Sequence, residues 1–469
     1  MSSGTFRRVL IAGAVAAVGT AGVLPGVTSS SPAAAALPMP IPAITGNVVG
    51  HLSGSQVPTT ADCIATFGIP CYSGVQLEHH YGLTSLYAEG LTGAGKTIVI
   101  VDAFGSPTIQ ADLETFDAAQ HLPNPLLTII QPVGAIPPFD PNNSTMVGWA
   151  EETTLDVEMS HAIAPGAHIL LVETPIAETE GQTGFPAIVH AENYVVDHHL
   201  GDVISQSFGA TEQTFPSQAS IYNLRSAYAN AWNNGITVLA SSGDTGATND
   251  YGDSSCCYAS QVDSWPSTDP LVTSVGGTQI HVNASGSGPA PVARDTVWND
   301  PNSLFNPGDP TTLGASGGGI SSVFQRPEYQ NSVRAVVGTQ RGTPDISMSA
   351  AVDGAALVYM SFAPLGPGWE LFGGTSEASP LFAGIVAIAA QDAGHDLGLI
   401  NRKLYSLENK PDSGVVDVTR GNNTLVFDNA HKNGALTTVD GFDAAAGYDL
   451  ASGLGTIWAP EFVPALAGK

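Results

Sequence analysis

Basic residues are scarce in this sequence. Lys and Arg total 14 of 469 residues against 42 Asp and Glu, a formal net charge of −28. Nucleic acids and anionic lipid surfaces are bound chiefly through Lys and Arg, so the composition argues against both as partners. Charged residues of either sign reach only 12%, so the acidity comes from a shortage of bases. Disorder would need low hydrophobicity as well, whereas 43% of residues are hydrophobic, enough for a full core. Cysteine is limited to four residues. No C-x-x-C occurs, which removes the usual zinc-ligand spacing. Past the N-terminal segment no apolar run reaches about 20 residues, the length of a membrane span. Glycine and proline are plentiful, at 53 and 33, as suits a loop-rich globular chain.

The N-terminus carries Arg7 and Arg8, then an apolar stretch over 9–24, then small residues from Ala33 to Ala36. This order reads as a secretory signal over 1–36, with an uncleaved anchor as the alternative. The expectation is a secreted chain with no membrane contact after signal removal. Four cysteines fit an oxidising compartment. Cys63 and Cys71 flank Gly68 and Pro70 and suit a small loop disulfide. Cys256 and Cys257 are adjacent and leave either a vicinal disulfide or two thiols. Residues 37–72, rich in Pro, Gly, Ser and Thr, read as an extended N-terminal arm.

From Gln76 onward apolar strand patterns alternate with helical ones. Strands are expected at 97–102, 168–173, 203–208 and 236–240, and helices at 108–120, 151–162, 217–234 and 379–393. The alternation predicts an α/β fold, one parallel sheet with helices on both faces. Such sheets place sites at the carboxyl ends of their strands. Asp102, Ser207 and Asp244 fall near such ends. Residues 280–320 read as a surface excursion, and 415–455 show little periodicity. A single domain is expected over 73–469.

The sharpest local signal is Gly373-Gly374-Thr375-Ser376-Glu377-Ala378-Ser379-Pro380. Two glycines allow a close approach, and Ser376 then heads an apolar helix, with Pro380 tolerated in the first turn. Backbone N–H groups there favour the oxyanion that nucleophilic attack creates; the plain alternative is that Ser376 caps the helix. A serine nucleophile needs a base. None of the 12 histidines stands in a His-Gly-Thr-His context. Glu152 and Asp156 lie four apart, on one face of a helix. In a cleft such a pair shares protons, one as base and one orienting it. On a solvated face it would do nothing. Asp244, between glycines after a buried strand, is either a turn residue or a neutral acid donating to an oxyanion.

In order and spacing these pieces resemble the sedolisin family of serine-carboxyl peptidases, which have a subtilisin-like fold. The resemblance includes Ile98-Val-Ile-Val-Asp102-Ala-Phe-Gly-Ser-Pro107, Glu152-x-x-Leu-Asp156, Ile204-Ser-Gln-Ser-Phe-Gly209, Ser242-Gly-Asp244, Gly317-Gly-Gly319, Pro344-Asp345, Gly374-Thr-Ser376 and Gly447-Tyr-Asp-Leu-Ala-Ser-Gly-Leu-Gly455. It implies a subtilisin-like parallel sheet and an acid-acting endopeptidase that works through an acyl-enzyme. Ser376 would be the nucleophile and Glu152 its base. Asp156 would tune Glu152, and Asp244 would be the oxyanion acid. A peptide or protein substrate would lie as a strand beside Ser207, Phe208, Gly209, Gly317, Gly318 and Gly319.

The resemblance also implies one calcium ion in the segment 415–455, held by carboxylates of Asp417 and Asp449 and carbonyls of Val418, Ala445 and Gly447. A monomer is expected. The stretch between Ala36 and Gln76 is too short for the long folded pro-segment usual in family precursors, so none is expected in this sequence. Glu377 departs from the small or neutral residue usual after the serine. The rival readings are an inactive secreted binding protein on the same scaffold and a His-dependent subtilisin-type hydrolase.

Overall fold

The structure is a computed structural model, and it describes residues 50–469. The signal reading at 1–36 and the first part of the arm lie outside the described residues. No helix among the described residues is long and apolar enough to cross a membrane.

The strand Thr97–Ala103 shows how the fold is built. It pairs in parallel with His168–Thr174 on one side and Val203–Gln206 on the other. Its side chains alternate between two cores, since successive residues of a strand face opposite ways. Ile98 and Ile100 join one cluster with Leu155, Met159 and Leu381. Val99 and Val101 join another with Ile188, Val195 and Ala227. A strand buried on both faces reads as an unbroken apolar run, which is why 98–101 carries no polar residue. The sheet runs Thr296–Val297, Thr273–Gln279, Thr237–Ser241, Val203–Gln206, Thr97–Ala103, His168–Thr174, Leu126–Ile130, with Ile346–Ser349 also on Thr273–Gln279. All pairings are parallel except that of Thr296–Val297. The expected α/β architecture, a subtilisin-like parallel sheet with helices on both faces, is the observed one.

Two helices cross the first core. Ser144–Ile163 begins well before the expected start, because Asn143 caps it by accepting from the N–H groups of Thr145 and Met146. Thr375–Ala393 packs against it, and both are buried nearly all round. The segment 217–234 forms two helices, Gln218–Leu224 and Ser226–Asn234, divided at Arg225, whose guanidinium is held by Asp269 at 2.5 and 2.8 Å.

The arm is not extended throughout. Thr60–Phe67 is a helix, closed at its start by a reciprocal Thr59–Asp62 capping box and at its end by Gly68 at φ 85°. His51–Ser53 and Cys71–Tyr72 are the outer strands of a four-stranded sheet around Gly368–Phe372 and Ala355–Met360. Cys63 and Cys71 are disulfide-bonded, as are Cys256 and Cys257. The weakly periodic tail holds a hairpin, Leu425–Asn429 with Ala435–Val439. Its turn uses left-handed Asn433 and Gly434.

Gly384 marks where the two central helices touch. A Cβ there would lie 2.6 Å from Ile163 Cγ2 and 2.7 Å from Ile163 Cβ. Gly384→Ala should therefore destabilise the fold by about 1–3 kcal/mol. The check is a lower urea midpoint at unchanged slope; an unchanged midpoint would contradict the contact.

Candidate active site

The turn before Thr375–Ala393 is shaped by Gly374 at φ 125°, where a side chain is strained. A Cβ there would also lie 2.8 Å from Asp244 Oδ2. Ser376 is the second helical residue. Pro380 therefore sits in the second turn, not the first. It has no N–H to give to the Ser376 carbonyl four residues back. That carbonyl lies 3.4 Å from Ser207 Oγ instead. The same Ser207 hydroxyl is 2.9 Å from Asp156 Oδ1. When Asp156 is protonated it can donate to Ser207, which then donates to Ser376.

The helix Ser144–Ile163 presents Glu152 and Asp156 to this point, and both are fully buried. Burial pushes both carboxyls well above the ordinary range. The charges of Asp156, Asp102 and Asp244 raise Glu152 further and the Ser376 hydroxyl opposes that rise, although neither Glu152 oxygen has a hydrogen-bond partner of ordinary geometry. No base is among the groups acting on either carboxyl. Like charges this close do not all ionise, so protons are shared across the group.

Asp244 follows the strand Thr237–Ser241. Its Oδ1 accepts from Thr375 N at 2.7 Å and from Thr375 Oγ1 at 2.8 Å. Its Oδ2 is buried without a protein partner. Burial outweighs the Thr375 bonds and holds the carboxyl up to about 6. Because Oδ1 is occupied as an acceptor, the proton of the neutral form belongs on Oδ2, beside Gly374.

Asp102 was placed by sequence only at a strand end. The structure brings it into this group, fully buried, its carboxyl pushed up to about 7 by burial. The signal was there: an acid ending a buried apolar strand. The expected substrate residues divide. The Ser207 and Phe208 side chains are closed off, Ser207 on Asp156 and Phe208 in the core near Trp149 and Phe185. Gly317 offers no open edge, since its N–H donates to Gly243 and its carbonyl accepts from Ser242. A Cβ at Gly209 would meet the Trp265 carbonyl at 3.2 Å. Gly318 packs on Leu450 and Pro344, and Gly319 pairs with Thr343. Histidines lie elsewhere: His161 with Asp117, His80 with Asp295, His168 with Thr128.

The residues expected to hold calcium lie on two segments, Asp417-Val418 before the hairpin and Ala445–Asp449 after it, which meet in the tail. Gly447 N–H donates to Asp417 Oδ2 and Ala445 N–H to Asp449 Oδ2, each at 2.9 Å. Ser452 Oγ lies 3.0 Å from Asp449 Oδ1 and 3.5 Å from the Val418 carbonyl. Two carboxylates and three carbonyls are hard oxygen donors of the kind calcium takes, so the residues fit the ion. Among the described residues, the one close grouping of three His, Cys, Asp or Glu ligands is Asp250, Cys256 and Cys257, and a disulfide engages both sulfurs.

The model of the subtilase family matches residues 141–404. This chain is a subtilase. Within the family it groups with the sedolisins. It is 30% identical to kumamolisin of Bacillus sp. (strain MN-32) over 386 residues, covering 79% of this chain and 60% of that protein. It is 28% identical to sedolisin of Pseudomonas sp. (strain 101) over 433 residues, covering 90% of this chain and 67% of that protein. The solved structure of Pseudomonas sedolisin complexed with two molecules of pseudo-iodotyrostatin superposes with a TM-score of 0.67 at 25% identity. That alignment covers 86% of this chain and 99% of that one. The subtilase thus spans 60% of kumamolisin's own length.

The buried acids set the pH dependence of stability. Glu152, Asp156, Asp102 and Asp244 all have raised folded-state values. Each therefore contributes stability that is complete below its unfolded value, near 4, and is lost as pH rises through the folded value. The melting temperature of this subtilase should fall steadily from pH 4 to pH 8. A melting temperature that rises over that range would contradict the burial of uncompensated acids.

Proposed function

We propose that the chain is a secreted serine-carboxyl endopeptidase acting in acid. The observation that carries the reading is the gathering of Glu152, Asp156, Asp102 and Asp244 around Ser376. Ser376 Oγ attacks the peptide carbonyl carbon while its proton passes to Glu152. Asp156 shares that proton and keeps Glu152 an acceptor at low pH. The carbonyl oxygen becomes an oxyanion, which the Asp244 Oδ2 proton and nearby backbone N–H groups stabilise. Collapse breaks the C–N bond, Glu152 returns a proton to the leaving amine, and the acyl group stays on Ser376. Water then attacks the acyl ester with Glu152 again as base, releasing the acid and restoring the hydroxyl. An extended substrate would bind beside the backbone of Ser207, Phe208 and Gly209, with Gly318 and Gly319 opposite.

Acid action follows from the arrangement. Asp244 must be neutral to donate, so activity should fall as pH rises through about 6. Asp244→Asn places a permanently neutral donor near the same point. It should retain activity lost by Asp244→Ala, about 10²-fold or more in kcat, and should carry activity to higher pH than the parent. Equal losses in both variants would remove Asp244 as the donor. Glu152→Ala with every histidine intact should abolish turnover; an unchanged kcat would instead support the His-dependent reading.

Asp417 and Asp449 with the carbonyls of Val418, Ala445 and Gly447 would hold one calcium ion, which supplies positive charge that ties the tail together. Since calcium binds only the folded tail, adding EDTA should lower the melting temperature. An identical melting curve with and without chelator would remove the site.

A further inference from the structure

Thr375 is the first residue of the helix that carries Ser376, and it is fully buried. Its hydroxyl lies between two segments of the site. Gly243 N–H donates to Thr375 Oγ1 at 3.0 Å. An amide N–H can only donate, so this bond occupies the hydroxyl as an acceptor and leaves its hydrogen to be given elsewhere. The acceptor in reach is Asp244 Oδ1, at 2.8 Å. The direction of the hydroxyl is thus fixed by the backbone, from Gly243 to Thr375 and from Thr375 to Asp244. Thr375 N–H meets the same Oδ1 at 2.7 Å and closes the ring. Gly243 takes a φ of 106° in this turn, a value suited to glycine.

Two donors on one carboxyl oxygen leave it no lone pair in the plane for a proton. The second oxygen is placed differently. Asp244 Oδ2 is buried without a protein partner, and Gly374 keeps the space beside it clear, since a Cβ there would lie 2.8 Å away. The main chain around the acid is held as well. The Asp244 carbonyl accepts from Ala315 N–H at 2.8 Å, and the Gly243 carbonyl accepts from Gly317 N–H at 2.7 Å. What remains to be set is the rotation of the carboxyl and the oxygen that bears its proton. Glu152 on Ser144–Ile163 is the titratable group whose charge meets that of Asp244. The neighbouring stretches 245–249, 315–318 and 372–376 carry no titratable side chain.

We propose that Thr375 is a positioning residue for the oxyanion acid: its hydroxyl, aimed by Gly243 N–H, holds Asp244 Oδ1 as an acceptor, so that the neutral carboxyl presents its proton from Oδ2 to the reacting carbonyl oxygen. The effect on turnover rests on the serine-peptidase reading; the hydrogen-bond ring does not. The same hydroxyl has a second, opposing effect. A hydrogen bond donated to a carboxyl favours its charged form, and the two Thr375 bonds pull Asp244 down against the larger rise from burial. Thr375 therefore improves the aim of the acid and narrows the pH range over which it is neutral. Removing the hydroxyl should lower kcat and move the alkaline limb of activity upward. A general loosening of the site would lower kcat without moving that limb upward.

The test compares wild type, Thr375→Val and Thr375→Ser as full-length protein. Val keeps the branched shape and lacks the donor, whereas Ser keeps the donor. At pH 4, Thr375→Val should lose about tenfold or more in kcat with KM little changed. Its alkaline limb should rise by about half a pH unit to one unit. Thr375→Ser should restore both the rate and the limb. Carboxyl-carbon NMR of protein labelled at its Asp side chains reads the ring without turnover, the Asp244 signal being the one lost in Asp244→Asn. That signal should titrate at higher pH in Thr375→Val than in wild type. An unmoved titration midpoint would overturn the proposal, as would a full rate in Thr375→Val or a Ser variant that behaves like Val. Should Val fail to fold, Thr375→Ala, which also lacks the hydroxyl, is read in its place. If wild type cleaves no peptide at any pH, the peptidase reading falls, and the NMR midpoints still test the ring.

Discussion

The structure depends on acids kept away from water with almost no bases to answer them. A carboxylate in a low-dielectric interior is costly unless it is paired. With 14 Lys and Arg in 469 residues, pairing is rarely available. Fully buried Arg341, held by Asp345, is an exception. Asp102, Asp244 and Glu377 take the other course and hold their protons, and Glu152 and Asp156 share theirs. A fold stabilised by protonated acids is also one whose acids can donate and accept protons at low pH. The composition and the chemistry thus have a common physical origin.

The sheet supplies the geometry. Parallel strands end on one side, so Asp102, Ser207 and Asp244, far apart in the chain, meet at their carboxyl ends. Two helices buried on nearly every side bring the remaining groups to the same place, Glu152 and Asp156 on one and Ser376 on the other. Because these helices contact one another at Gly384 and Ile163, their relative position is fixed close to a van der Waals limit. Pro380 adds a local device. By leaving the Ser376 carbonyl out of the helical ladder it lets Ser207 connect that carbonyl to Asp156.

Much of this was legible in the sequence. The unbroken apolar run 98–101 announces a strand buried on both faces, and the four-residue spacing of Glu152 and Asp156 places them on one helical face. Gly374 before Ser376 announces a close approach, and Asp244 Oδ2 is what approaches. Other features were not legible. Phe208 looks like a pocket residue beside a glycine, but its neighbours Trp149 and Phe185 are known only once the sheet is assembled. Gly317 looks open, yet its backbone groups are engaged by Ser242 and Gly243, a tertiary contact with no local signature. The arm's Pro, Gly, Ser and Thr suggested extension, whereas Thr59, Asp62 and Gly68 together specify a short helix with both ends capped. Asp102 was legible as an acid ending a buried strand, but not its place beside Glu152, which comes from strand pairing.

The most direct measurement is a count of protons. Potentiometric titration of the native and the urea-unfolded protein at pH 5.5 gives the difference in bound protons between the two states. The account predicts that the native protein holds several more, because buried carboxyls keep protons that the unfolded chain releases. A native state binding the same number or fewer would contradict it.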